Sequence, residues 1–281
     1  MLPFVRIGPL LLQLPGLALL AGIWLGTTVV EKHAIRLRLN AAAVLNMIMT
    51  GLVGGLLGAR LLYALEHINA YVAAPLSLFA LSATALDAWG GLLMGVAVAY
   101  LYARAKGLAL RPTLDALAPG LAVFMIAIGL ANLLSGDGYG SPLQAPWAVL
   151  LWGEYRHPTQ IYEMLLAVGV FLIWKFTSMG TGVAGRSFWR VVGLLAASRI
   201  FTEAFHGDSA ALPGGFRVAQ VAGLIVLGTA LYMDRRWAAP EAASPGAPST
   251  PRRARPARQP AQPQVRRARS LSSKSTRPHR K

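Results

Sequence analysis

From residue 8 to residue 234 the chain alternates long apolar runs with short polar connectors. The runs fall near 8–30, 41–65, 88–104, 113–134, 159–177, 189–206 and 217–234. Each is close to the roughly 20 residues that an α-helix needs to cross a hydrocarbon core. The pattern predicts an all-α integral membrane protein of about seven transmembrane helices. Residues 1–238 form the membrane domain and residues 239–281 a separate tail.

The connectors alternate in charge. Those at 31–40 (Lys32, Arg36, Arg38), 103–112 (Arg104, Lys106, Arg111) and 175–190 (Lys175, Arg186, Arg190) are basic, as is the stretch after Arg235. The opposite connectors, near 66–87, 135–158 and 207–216, hold Arg156 as their one Lys or Arg. By the positive-inside rule the amino terminus is external and the carboxyl terminus cytoplasmic. The first run is followed, not preceded, by most of its local positive charge, so it reads as a spanning helix rather than a cleaved signal peptide.

Within the second run Gly51, Gly54, Gly55 and Gly58 are spaced for close helix approach, a packing role. The connector at 135–158 is punctuated by Gly136, Gly138, Gly140, Pro142 and Pro146, and Trp147, Trp152 and Tyr155 suit a membrane interface. It reads as a half-inserted lid.

Composition sharpens this picture. Hydrophobic residues make up 55% of the chain and charged residues 14%, which fits a polytopic membrane protein. Cysteine is absent, which excludes disulfides, thiolate metal sites and a cysteine nucleophile on the chain itself. The net charge of +16 invites a nucleic-acid reading, but 11 of the 27 Lys and Arg lie between Arg252 and Lys281. That Pro-, Ala- and Arg-rich tail lacks apolar periodicity and is expected to be disordered and to bind anionic membrane lipids, not nucleic acid.

Ionisable groups inside apolar helices cost roughly 2.5–3.5 kcal/mol each to insert, so each is a functional candidate. The topology collects them in one leaflet. Arg60, Tyr63 and Glu66 end the second run, Asp87 and Trp89 open the third, and Asn132 and Asp137 close the fourth. His157, Gln160, Tyr162 and Glu163 open the fifth, with Pro158 suited to a first helical turn. Arg199, Glu203 and His206 follow at spacings of four and three, on one helical face, and Arg217 and Gln220 open the last run. Several arginines converging imply an anionic ligand. At an external membrane face that ligand is a phospholipid.

These motifs resemble the bacterial prolipoprotein diacylglyceryl transferases. Arg156-His157-Pro158-Thr159-Gln160-Ile161-Tyr162-Glu163 is similar to the family's Arg-His-Pro-Ser-Gln-Leu-Tyr-Glu, and Gly58-Ala59-Arg60-Leu61-Leu62-Tyr63 to its Gly-Gly-Arg-x-x-Tyr. Asn132 through Asp137 resembles Asn-Phe-x-Asn-Gly-Glu, Arg199 through Phe205 resembles Arg-Phe-x-x-Glu-Phe, and Gln220 falls where the family carries a glutamine. The likeness spans about residues 5–234. It implies a multi-pass enzyme of the bacterial plasma membrane, without cofactor or metal. Such an enzyme moves diacylglyceryl from phosphatidylglycerol to the lipobox cysteine of a preprolipoprotein. It further implies catalytic roles for His157, Arg199 and Glu203, and substrate binding by Arg60, Tyr63, Asn132, Asp137, Gln160, Tyr162, Glu163 and Gln220.

The chain departs from the family at three places. Trp89-Gly90-Gly91 stands where the family has His-Gly-Gly, Gly129 where it has an arginine, and Pro15-Gly16 where it has an aromatic Tyr-Gly. His157, or His206 with Asp208, is then left to serve as base, and Arg217 to replace a lost phosphate contact. Two readings follow: an active transferase, or a catalytically degenerate paralogue that binds phospholipid or lipoprotein without turnover. A transporter would need a midplane site and internal repeats, and none is visible in the sequence.

Overall fold

The computed structural model describes residues 4–7, 10–73, 86–177, 182–210, 212 and 214–238. The expectation of a disordered basic tail falls on residues outside this set. Among the described residues the protein is mostly helical. The long helices are α1 (Leu14–Arg36), α2 (Ala41–Glu66), α4 (Ala88–Ala105), α5 (Leu110–Ser135), α6 (Thr159–Phe176), α7 (Arg186–Glu203) and α8 (Val218–Ala238). A short α3 (Ile68–Ala73) follows α2, and two hairpins, β1–β2 (Phe4–Ile7, Leu10–Gln13) and β3–β4 (Val149–Leu151, Glu154–Arg156), precede α1 and α6. Seven long helices therefore coincide with the seven apolar runs. Helices α1, α2, α5 and α6 are long and apolar enough to cross a membrane by length and composition.

The first run opens with the four-residue strand β2 and not with helix, because the β1–β2 hairpin occupies the residues before Leu14 and Pro15 presets the opening turn of α1. The connector at 135–158 is built around the β3–β4 hairpin. Leu150 and Tyr155 pair across it, and both are exposed, together with Trp147 and Trp152.

Packing is inverted relative to a water-soluble bundle. Thirteen of the twenty buried apolar residues among those described are alanine, while Leu57, Leu93, Leu101, Ile225 and Phe176 are largely exposed on the helix surfaces. Small residues let helices approach closely where solvent does not drive association. On α2 and α4 this is literal: a Cβ on Gly55 would lie 3.0 Å from the Gly91 carbonyl oxygen, and one on Gly95 would lie 3.0 Å from that of Gly51. The glycines of the second run serve packing, as their spacing predicts.

Two apolar clusters hold the bundle at one end. Val30, Ala34, Val44, Met47, Ala103 and Ala116 join α1, α2, α4 and α5. Ala118, Ala122, Val170, Trp174 and Val191 join α5, α6 and α7. Both lie where α1 and α6 finish and α2 and α7 begin. The polar groups gather at the opposite end, where α5 and α7 finish and α6 and α8 begin.

Candidate active site

The site is framed by a short extended segment, residues 139–142, which lies between the turn after α7 and the start of α6. Ser141 N–H donates to the Phe205 carbonyl (2.8 Å), Gly207 N–H to Tyr139 (2.9 Å) and His157 N–H to Ser141 (3.0 Å). Glycine is required for this fit. A Cβ on Gly140 would sit 2.4 Å from the His157 Cβ, and one on Gly207 would sit 2.7 Å from the Gly140 carbonyl oxygen. Buried Thr159 and Gln160 secure the preceding loop, donating to the carbonyls of Gly138 (2.6 Å) and Asp137 (2.9 Å). Asn132 closes α5 by accepting the Gly136 N–H (2.8 Å), and Gly138 packs against its side-chain amide.

At the centre stands Arg199 on α7. Its Nη1 bonds to Glu163 of α6, and its Nη2 lies 2.9 Å from Glu203 Oε2. Glu203 is 1% exposed, and its Oε2 receives no aligned hydrogen bond, so charge attraction holds it. His206 joins the group with Nε2 at 3.3 Å from Arg199 Nη1. The sequence places His206 on the helix with Arg199 and Glu203. In the structure α7 ends at Glu203, and a tight turn, His206 N–H to Glu203 carbonyl at 3.2 Å, carries the imidazole back into the cluster.

Arg199 is also the polar end of a groove of about 570 Å³, within the range of small-molecule sites. Its apolar lining comes from four helices, with Trp89 of α4, Leu121 and Met125 of α5, Leu195 of α7 and Ala222 and Val226 of α8 among it. Glu203, Asp208 and Ser209 complete the polar end. Along α7 the groove runs seven residues from Arg199 to Val192, about 10 Å of helix. A guanidinium at the head of an apolar slot suits an amphiphile with an anionic head. Arg199 also lines a smaller cavity of about 40 Å³ with Glu163, Ser198 and Thr202 and the apolar Met125 and Leu195, room for a water molecule.

The other sequence candidates occupy distinct places. His157 packs against Phe205 (5.2 Å between ring centres) and lies 3.5 Å from the Tyr162 hydroxyl. Asp137 is exposed, and its backbone carbonyl, not its carboxylate, is engaged by Gln160. Arg60 lies 5.9 Å over the Tyr71 ring and Tyr63 stacks on His67, both on the α2 side. Neither lines the groove, and Gln220, half-buried beside Ala219, does not line it either. Arg217 gives one nitrogen, Nη1, to the carbonyls of Glu203 and His206 (3.0 Å to the latter) and to Ser209 Oγ (3.3 Å). It thereby closes the carboxyl end of α7, where a cation is favoured.

The two departures at the site have structural counterparts. Trp89 is 70% exposed and faces the groove. At Gly129 a Cβ would meet the Met164 Cβ at 3.1 Å and the Gln160 carbonyl oxygen at 3.3 Å, so α5 and α6 pack closely there and a larger side chain would require them to give by a few tenths of an ångström.

The family model for prolipoprotein diacylglyceryl transferase matches residues 3–234. A phosphatidylglycerol–prolipoprotein diacylglyceryl transferase of Geobacter sulfurreducens is 31% identical, covering 84% of this chain and 96% of its own length. Proteins of the same name from Clostridioides difficile (27%, covering 75% of this chain and 84% of that one) and Gloeobacter violaceus (27%, covering 85% and 97%) are also similar. The chain belongs to the prolipoprotein diacylglyceryl transferase family.

Proposed function

We propose that this protein transfers diacylglyceryl from phosphatidylglycerol to the lipobox cysteine of preprolipoproteins in the bacterial plasma membrane. The observation that carries the reading is Arg199 at the head of the apolar groove, paired with Glu163 and Glu203 yet 42% exposed at its side chain. In this reading all seven long helices span the bilayer, with the amino terminus outside and the tail cytoplasmic, where its charge meets anionic lipids. The groove then opens in the outer leaflet.

The chemistry asks little of the chain in covalent terms. The substrate brings the nucleophile, which fits a chain without cysteine. The lipobox sulfur forms a bond to the diacylglyceryl carbon, the bond from that carbon to the phosphate oxygen breaks, and glycerol phosphate leaves with the electron pair. The thiol proton passes to a base, since a thiol with a pKa of about 8.5 is mostly protonated at neutral pH. Arg199 stabilises the charge gathering on the leaving phosphate, and Glu203 holds it in place. His157, beside Tyr162, is the base in this scheme. Arg60, Tyr63, Asn132, Asp137, Gln160, Tyr162, Glu163 and Gln220 bind or frame the two substrates. Glu163 acts across the helices, tethering α6 to Arg199.

Purified full-length protein supplied with phosphatidylglycerol and a lipobox peptide should add a diacylglyceryl mass to the peptide cysteine, read by mass spectrometry. An unmodified peptide beside a working family member would reject the enzyme reading. Trp89 favours a second reading, a lipid- or lipoprotein-binding paralogue without turnover, because it puts an indole in the groove where the resemblance leads one to expect histidine. Retained phosphatidylglycerol with no thioether, and thioether formation by Trp89→His, would support that paralogue.

A further inference from the structure

We infer that His206 is a positioning residue for Arg199, an acceptor that fixes how the guanidinium meets an anionic headgroup. The inference rests on the reading of Arg199 as the group that meets the lipid phosphate. His206 is 2% exposed and does not line the groove, so it acts through its neighbours.

Those neighbours are specific. Nδ1 lies 3.0 Å from the Thr202 carbonyl oxygen and 4.0 Å from Glu203 Oε2. Nε2 lies 3.3 Å from Arg199 Nη1 and 3.5 Å from Glu163 Oε1. A carbonyl only accepts, so Nδ1 carries hydrogen, and the donor Arg199 Nη1 at 3.3 Å turns the lone pair of Nε2 toward the guanidinium. Arg199 Nη1 then donates to two acceptors, the Glu163 carboxylate and the imidazole.

An acceptor without negative charge matters because the cluster already holds one carboxylate more than its guanidinium can offset. Glu163 and Glu203 bring two carboxylates to one guanidinium. A third carboxylate at position 206 would hold Arg199 as well but would repel phosphate. An imidazole adds a hydrogen-bond acceptor without adding negative charge. Its backbone is fixed from three directions: the turn to Glu203, the bridge to Gly140 flanked by the Gly207 to Tyr139 bond, and the Arg217 guanidinium on its carbonyl. A residue that aims another needs such rigidity.

The test uses full-length protein in phosphatidylglycerol bicelles with a lipobox peptide, comparing wild type with His206→Gln, His206→Ala and His206→Phe. Glutamine keeps a neutral acceptor, and phenylalanine keeps ring volume without one. Losing a hydrogen bond to a charged partner should raise KM for phosphatidylglycerol about ten- to a hundredfold in the Ala and Phe variants. The change in kcat should be smaller, because the headgroup phosphate is held before and during reaction. Glutamine should restore most of the loss. A Gln variant as impaired as Phe, or a Phe variant matching wild type, overturns the inference. Phosphatidylglycerol copurifying with each protein separates this from the transferase reading. A wild type that retains lipid yet makes no thioether rejects the transferase alone, and the same Ala, Phe and Gln order in lipid retention then supports or overturns the role of His206. A wild type that retains no lipid overturns both.

Discussion

Helix α7 carries an arginine–carboxylate cluster at each end, and the two are built to opposite purposes. At its start Asp234 of α8 takes Arg186 through two bonds of 2.8 Å and Arg190 through one of 3.1 Å. Asp115 of α5 accepts the backbone N–H groups of Gly185 and Phe188. Each carboxylate oxygen there has at least one donor, neither aspartate lines the groove at Arg199, and the Gly185 backbone is packed under Trp237. At the far end Arg199 is shared among Glu163, Glu203 and His206, remains 42% exposed and faces a cavity. The same residue types make a fastening where donors and acceptors match, and leave a guanidinium face open where they line a groove.

The largest expected effect breaks the far cluster. Arg199→Ala should lower kcat/KM by at least about a hundredfold, the scale of losing a donor that meets developing charge. It should also cost about 3 kcal/mol in thermal unfolding, because Glu203 is left buried without its partner. The double variant Arg199→Ala/Glu203→Gln removes the orphaned charge, so stability should return while activity stays lost. If the double variant regains transfer, Arg199 does not meet the reacting phosphate.

A smaller effect is expected at the near cluster. Asp115→Ala strips the acceptor from two N–H groups in the first turn of α7, where Gly185 offers no side chain of its own. Loss of such a cap costs about 2 kcal/mol at most. Transfer per folded molecule should stay at the wild-type value. An activity loss without a stability loss would erase the distinction between the two ends.

How far this difference could be read from the sequence follows from the range of each interaction. The seven long helices were legible because spanning length and loop charge are local properties. The start of α7 was not, since its cap is Asp115, seventy residues earlier. Arg199 with Glu203 was legible as an i, i+4 pair, and Glu163 as a polar residue on the preceding helix. The return of His206 depends on a turn after Glu203 that periodicity alone extends as helix. The groove was hidden altogether, because alanines and valines from α7 and α8 that line a cavity look the same in sequence as those that face lipid. Arg217 read as a ligand contact by its charge, yet its nitrogen goes to carbonyls that only the fold brings near.

The smallest effect tests whether the near cluster is fastening alone. Asp234→Asn keeps the shape and one acceptor oxygen but removes the charge that draws Arg186 and Arg190 together. The three side chains are 21–35% exposed, so water and salt screen the attraction, and the loss should be about 1 kcal/mol in thermal unfolding. The difference between wild type and variant should shrink as salt rises, because screening weakens the wild-type pairs while the variant has little left to lose. Lipid retention and transfer should not change. A salt-independent loss would mean that the bond geometry, not the charge, joins α7 to α8, and a change in transfer would mean that the two ends of α7 are coupled through the helix.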